Sequence, residues 1–229
     1  MMFRDLRYLM ESVCMQGKRA YSQQGEDLII DSLLKSISVE KPFYLDIGAN
    51  HPIKLSNTYF FYRKGASGIC IEPNTEFRFL YSIFRRRDQL LNIGLTGGST
   101  SKAQYYIMDW HEFNTFDKEH ATALEAFYKG RNAIQRVVEL PILNVNEFIQ
   151  KYVRRPIDLI NLDVEGLDYD ILSAFDFNAQ TPKVICVETK DFSNGKEQSK
   201  IHNHLTQKGY ILYAMNPING IYVHSNFVK

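Results

Sequence analysis

The sequence predicts a doubly wound α/β fold whose mostly parallel sheet ends in an antiparallel hairpin. Three observations predict it. Phe43-Tyr44-Leu45-Asp46-Ile47-Gly48 is an apolar run that stops at an acid and a glycine, and a helical pattern follows at Ser56–Tyr62. The same unit returns at Ser67–Glu72, Ile157–Asp163 and Lys183–Glu188, each run finishing on a carboxylate with helix-like segments between. Last come Tyr210–Met215, the turn residues Asn216-Pro217-Ile218-Asn219-Gly220, and Ile221–His224, which read as a hairpin.

Size and charge narrow the function classes. A chain of 229 residues suits one α/β domain with room for an insertion, here taken as 21–229. A net charge of +1 exerts no general pull on nucleic acid or membrane, and no apolar run spans a bilayer. Residues 1–20 carry charge within an apolar stretch and read as an N-terminal helical segment, not a signal peptide. The cysteines Cys14, Cys70 and Cys186 lack metal-site spacing; Cys70 and Cys186 lie in strand-like runs, as reduced core thiols of a cytoplasmic protein would.

Along the chain, the polar cluster Tyr21-Ser22-Gln23-Gln24-Gly25-Glu26-Asp27 precedes helical spacing at Leu28–Leu34. It either caps that helix, with Ser22 and Glu26 near its start, or lines a ligand pocket with side chains such as Gln24. After the first strand, Gly48 allows a tight turn and close approach of a ligand. Gly48-Ala49-Asn50-His51 is not the glycine-rich pyrophosphate turn of a dinucleotide site, which favours a ligand without phosphate. Glu72 ends the second strand, where an acid can accept both hydroxyls of a ribose. Gln89–Leu95 reads as the third strand, and Gly97-Gly98 as a hairpin turn before Ala103–Met108. Asn92 either borders an adenine or serves structure.

Residues 109–139 interrupt the strand–helix rhythm after the third strand. This insertion is aromatic, carries a helix at Lys118–Lys129, and suits a lid or an acceptor-site wall, or simple packing on the sheet. Val137–Leu143 is strand-like, and Asn144 with Glu147 caps a helix over Val145–Val153. The next strand delivers Asp163 and Glu165 to its tip before Gly166 turns into a helix over Tyr169–Phe175. Two carboxylates there are costly to bury, and suggest a base, a metal ligand or a hydroxyl-orienting group. Glu188 ends the following strand, and Lys196–Lys208 reads as the last helix.

Four segments together carry a family resemblance: Ser22–Asp27, Leu45-Asp46-Ile47-Gly48-Ala49-Asn50-His51-Pro52, Glu72-Pro73-Asn74, and Asp163-Val164-Glu165-Gly166-Leu167-Asp168-Tyr169-Asp170-Ile171-Leu172. With them the sequence resembles the FkbM family of S-adenosylmethionine-dependent methyltransferases, from about Tyr21 to the final hairpin. The resemblance implies the class I methyltransferase fold, a Rossmann-like seven-stranded sheet. It also implies O-methyl transfer to a hydroxyl of a sugar, nucleotide-sugar or other polyhydroxylated metabolite, as in glycan biosynthesis. Asn161 and Asp168 depart from residues common in relatives, a difference that bears on the acceptor.

On this reading Gly48 and its neighbours, Asn50 among them, lie against the methionine portion of the donor with Asp46 near its amino-acid end, Gln24 lines the donor pocket, Glu72 holds the ribose, and Asn92 borders the adenine. Asp163 is the first candidate base, followed by Glu165, Glu188 and His51, the last equally a capping residue. Asp163 and Glu188 are hard oxygen ligands that could take Mg²⁺ or Mn²⁺. Two other functions stay open: a catalytically silent S-adenosylmethionine-binding module, and an NAD-dependent oxidoreductase, which lacks its phosphate turn. Near-neutral charge and the lack of a basic–aromatic groove disfavour nucleic-acid methylation.

Overall fold

The computed structural model describes residues 19–189 and 199–228. The expected helix over 1–20 and Cys14 therefore lie outside the described residues, apart from Arg19 and Ala20. In chain order the elements are α1 (Glu26–Ser36), β1 (Phe43–Ile47), α2 (Tyr59–Arg63), β2 (Ser67–Ile71), α3 (Arg78–Phe84), β3 (Gln89–Leu91), β4 (Gly94–Thr96) and β5 (Lys102–Met108). Then follow α4 (Lys118–Phe127), β6 (Ile134–Asn144), α5 (Val145–Tyr152), β7 (Leu159–Leu162), α6 (Asp168–Ala174), β8 (Val184–Glu188), α7 (Ser199–Gln207), β9 (Tyr210–Met215) and β10 (Asn219–His224).

Seven strands form one sheet in the order β3-β2-β1-β7-β8-β10-β9, parallel except for β10, as the sequence predicts. Every residue of β1, β7 and β8 is buried, because helices cover both faces. Side-chain alternation divides the core. Leu45, Ile47, Ile160, Leu162, Ile185 and Val187 pack against Phe148 of α5, Ile171 and Leu172 of α6, and Ile201 and Leu205 of α7. Tyr44, Cys70, Leu159 and Cys186 pack on the other face against Ile30, Leu33 and Leu34 of α1, Phe61 of α2 and Tyr81 of α3. Each large aliphatic side chain buried in this way contributes about 1.5–3 kcal/mol.

The third strand departs from expectation. It breaks at Asn92, whose Nδ2 donates to the Glu72 carbonyl at 2.9 Å and whose Oδ1 accepts from Arg78 Nε at 3.0 Å. The chain then leaves the main sheet, and β4 pairs in parallel with β6. The predicted Gly97-Gly98 hairpin is also replaced, since β4 and β5 flank β6 in a separate three-stranded sheet. Gly97 meets another need. Its N–H donates to Asp170 Oδ2 at 2.7 Å, and a Cβ there would lie 2.5 Å from the Asp170 carbonyl oxygen.

Within 109–139, α4 packs Ala121 and Leu124 on Tyr106 and Met108 of β5. Asp117 caps α4 by accepting the N–H groups of Glu119 and His120. At the N-terminal side, Asp27 accepts the Tyr21 N–H at 2.7 Å and the Ser22 hydroxyl at 2.9 Å. Glu26 reaches instead to the final hairpin, where Asn216 and Asn219 each donate to its Oε1 at 2.8 Å. Burial alone would raise the Glu26 carboxyl, but these bonds and backbone N–H donors hold it below its usual range. The Ser22–Asp27 motif thus ties α1 to the hairpin turn. Among the described residues no helix is long and apolar enough to cross a membrane.

Candidate active site

Strand register builds the site. Ile47 pairs with Ile71 and with Leu162, and Leu162 pairs with Val187. The next residue of each strand therefore falls in one row: Gly48, Glu72, Asp163 and Glu188, at the carboxyl edge and on one face. Two residues earlier, Asp46 stands beside Asn161 on that same face. The row crosses the point where strand order reverses about β1, the usual ligand crevice of an open α/β sheet.

Gly48 has φ +78°, and a Cβ there would fall 1.7 Å from the Asp163 carbonyl oxygen. The glycine is required because two strand tips touch. Asp46 is buried: Thr58 Oγ1 donates to one oxygen and Asn161 Nδ2 to the other at 2.8 Å. Asn57 Nδ2 donates in turn to Asn161 Oδ1 at 2.7 Å. Burial pushes the Asp46 carboxyl up, opposed by the charge of Arg85. Arg85 is itself fully buried beneath the site. It ion-pairs with Asp88 at 2.5 Å and donates to Thr58 Oγ1 at 2.9 Å and to the Pro52 carbonyl at 3.0 Å.

Glu72 accepts the Asn50 and Asn74 N–H groups, one on each oxygen, both at 2.7 Å. Each oxygen keeps a second lone pair. Burial raises the Glu72 carboxyl to about 7 against those two bonds. Asn50 occupies left-handed backbone, φ +46°, and its Nδ2 donates to the His111 carbonyl at 3.2 Å.

The β7 tip is acidic and strained. Asp163 is half-buried, and desolvation followed by the charges of Glu165, Asp168 and Asp46 drives its carboxyl well up. Glu165 also has left-handed backbone, φ +54°, a conformation of the kind that functional sites hold against strain. Thr115 Oγ1 holds its carbonyl at 2.6 Å, and His120 Nε2 lies 3.0 Å from its Oε2. Asp168 stays buried under the turn, accepting the Val164 and Gly166 N–H groups, with its carboxyl raised to about 6 chiefly by burial. Carboxylate oxygens of Asp163, Glu165 and Glu188 all lie within 4.8 Å of one another.

A crevice of about 460 Å³ opens over this row, within the usual size of small-molecule sites. Its walls include Gln23, Asp46, Gly48, Asn50, His51, Asp163, Glu165 and Glu188, together with Trp110, Phe113 and Tyr128. A narrower pocket adjoins it, lined by Glu72, Pro73, Ile93, Leu95, Tyr105, Asn114 and Phe116 and sharing Gly48, Asn50 and Asp163.

Two of the predicted residues do not line either pocket. Gln24 is exposed and its neighbour Gln23 lines the crevice; Asn92 is turned away and Ile93 lines the narrow pocket. His51 has the capping geometry: its Nδ1 accepts the N–H groups of Ile53 and Lys54 at 3.1 and 3.0 Å, and burial pushes its pKa down. Sequence reasoning did not single out Arg85, Thr58, Asn57, Thr115 or His120. Asn161 appeared there only as a family departure.

The family model described as the methyltransferase FkbM domain matches residues 46–212. Among solved structures, monomeric WbdD is similar at a TM-score of 0.46 and 14% identity, over 87% of this chain and 40% of that one. The chain thus spans less than half the length of that protein. No curated protein matches the chain significantly. The matched span begins at Asp46 in β1 and runs through the acidic tips of β2, β7 and β8 into β9, well over half of the sequence, and the chain belongs to the FkbM methyltransferase family.

Proposed function

We propose that the protein is an S-adenosylmethionine-dependent O-methyltransferase acting on a hydroxyl of a sugar or other polyhydroxylated metabolite, in cytoplasmic glycan biosynthesis. The observation that carries this is the row Gly48, Glu72, Asp163 and Glu188 at one sheet edge, beneath a crevice of about 460 Å³ with a narrower pocket beside it. Buried free thiols at Cys70 and Cys186 accord with a reducing compartment.

The donor supplies a methyl on a sulfonium, so the protein's part is positioning and proton removal. The adenosine enters at the narrow pocket, about 40 Å³ in this structure, which must widen to take it, with the free lone pairs of Glu72 accepting the ribose hydroxyls. The methionyl part lies along the Gly48–Asn50 turn. Asp163 accepts the acceptor's hydroxyl proton as that oxygen bonds to the methyl carbon; the carbon–sulfur bond breaks and its pair stays on a neutral sulfur. Burial and the neighbouring carboxylates raise the Asp163 carboxyl, which makes the ionised form a stronger base. Glu165, fixed by His120 and Thr115, sets the field around Asp163.

A divalent ion is a second reading, favoured by the convergence of Asp163, Glu165 and Glu188. Those carboxylates would hold Mg²⁺ or Mn²⁺, which would lower the pKa of a bound hydroxyl. Titration calorimetry with S-adenosylhomocysteine, together with label transfer from methyl-labelled donor to a metabolite pool before and after chelation, tests these points. Binding and transfer are expected. Binding without transfer points to the silent module, no binding overturns the proposal, and transfer unaffected by chelator dismisses the ion.

A further inference from the structure

We infer that the acceptor is an uncharged, phosphate-free polyol and that nucleoside-diphosphate sugars are turned away; this rests on the methyl-transfer reading above. Two independent features of the crevice lead there. Its walls present Asp46, Glu112, Asp163, Glu165 and Glu188, and among the described lining residues there is no arginine. The lining ammonium, Lys54, lies 3.4 Å from Glu112. A diphosphate brought into this field meets carboxylates without the guanidinium forks that bind phosphate well.

The turn after β1 offers no substitute. Phosphates are otherwise held by clusters of free N–H groups at a turn or helix start. In the turn after β1 the N–H groups of Gly48 and Ala49 donate to the Ile71 carbonyl, and that of Asn50 donates to Glu72. His51 N–H donates to Asn50 Oδ1, and Ile53 and Lys54 donate to His51 Nδ1. Residue 52 is proline, so each N–H from Gly48 to Lys54 is already spent.

The aromatic part of the lining is suited to a neutral ring. Trp110 packs edge-on to Tyr128 with centroids 5.0 Å apart, Phe113 lies 5.5 Å from Tyr128, and Trp110 remains 41% exposed. These rings give the apolar face of a sugar a platform, while Asp163 and Glu188 of the same crevice can accept its hydroxyls.

The test incubates the enzyme with methyl-labelled S-adenosylmethionine and either a panel of methyl glycosides and neutral oligosaccharides or the matched nucleoside-diphosphate sugars. Label should enter the neutral set with a preference of at least about tenfold. Trp110→Ala should raise KM for the favoured glycoside about tenfold while S-adenosylhomocysteine affinity stays within about twofold. Equal or greater label in the nucleotide sugars overturns the inference, as does an unchanged KM in Trp110→Ala for the platform. Label in neither set, with S-adenosylhomocysteine still bound, overturns the acceptor class and leaves the donor reading standing. Failure to bind S-adenosylhomocysteine overturns both.

Discussion

Replacing Arg85 with methionine probes the buried support beneath the crevice. The Arg85 and Asp88 side chains are both fully buried and 2.5 Å apart. Methionine keeps most of the stem volume but leaves Asp88 with the Tyr44 hydroxyl at 2.7 Å, the Gly68 N–H at 2.9 Å and the Cys70 thiol at 3.9 Å. It also removes the donors to Thr58 and the Pro52 carbonyl. Breaking one side of a buried ion pair costs about 3–5 kcal/mol. For a domain of this size that is a fall in Tm of roughly 6–20 °C. Urea unfolding followed by circular dichroism measures the loss. Arg85→Met/Asp88→Asn should lose less than the two single variants summed, by about 1–3 kcal/mol, because the partners share one interaction. If Arg85→Met unfolds within about 1 kcal/mol of wild type, the pair does not support the site as argued.

Three further outcomes follow from the geometry. Gly48→Ala should cost far more stability than Gly65→Ala: both sit at positive φ, but a Cβ at Gly65 meets nothing nearer than 3.6 Å whereas at Gly48 it strikes the Asp163 carbonyl oxygen at 1.7 Å, so about 1–2 kcal/mol is expected at Gly65 and upwards of about 3 at Gly48; equal losses would refute the contact. S-adenosylhomocysteine affinity should fall as pH drops below about 7, approaching tenfold per unit, because ribose hydroxyls donate to ionised Glu72 and binding must then expel its proton; Glu72→Gln should remove that slope, and a flat wild-type profile contradicts the assignment. Stability of the ligand-free protein should run the opposite way. Glu72 and Asp168, raised to about 7 and about 6 in the fold, contribute stability that is complete below their unfolded values and is lost as pH rises through the folded ones, which denaturant midpoints across that range will show.

The main sheet was legible because a parallel strand buried on both faces leaves an uninterrupted apolar run. Phe43–Ile47 and Val184–Glu188 could be read almost to the residue for that reason. The acidic strand ends were legible too, since carboxylates abutting such runs lack a packing reason. The break at Asn92 was not. Its cause is a hydrogen bond from Asn92 to the Glu72 carbonyl, 20 positions away, and Leu90 to Leu95 carries no local sign of it. The β4-β6-β5 sheet was hidden likewise, because its pairing is non-local and Gly97-Gly98 mimics a tight turn.

Arg85 illustrates a second kind of blindness. It stands in Arg85-Arg86-Arg87, which reads as a solvated charge run; Arg86 and Arg87 stay at the periphery while Arg85 is drawn under the sheet edge by Asp88, three residues on. His51 could be either base or cap from sequence; in the fold its Nδ1 accepts from Ile53 and Lys54, a geometry that the sequence does not show. Gln23 and Gln24 differ by one position in a non-helical lead-in, where no periodicity says which faces the crevice.

On the proposed mechanism the carboxylate at the β7 tip removes the acceptor's proton, in a site whose donor contacts lie elsewhere. Single-turnover methyl transfer by Asp163→Asn, beside calorimetric titration of the same variant with S-adenosylhomocysteine, addresses it most directly. The account predicts a rate lower by about 10²–10⁴ with donor-product affinity within about threefold of wild type. Transfer at the wild-type rate would contradict it.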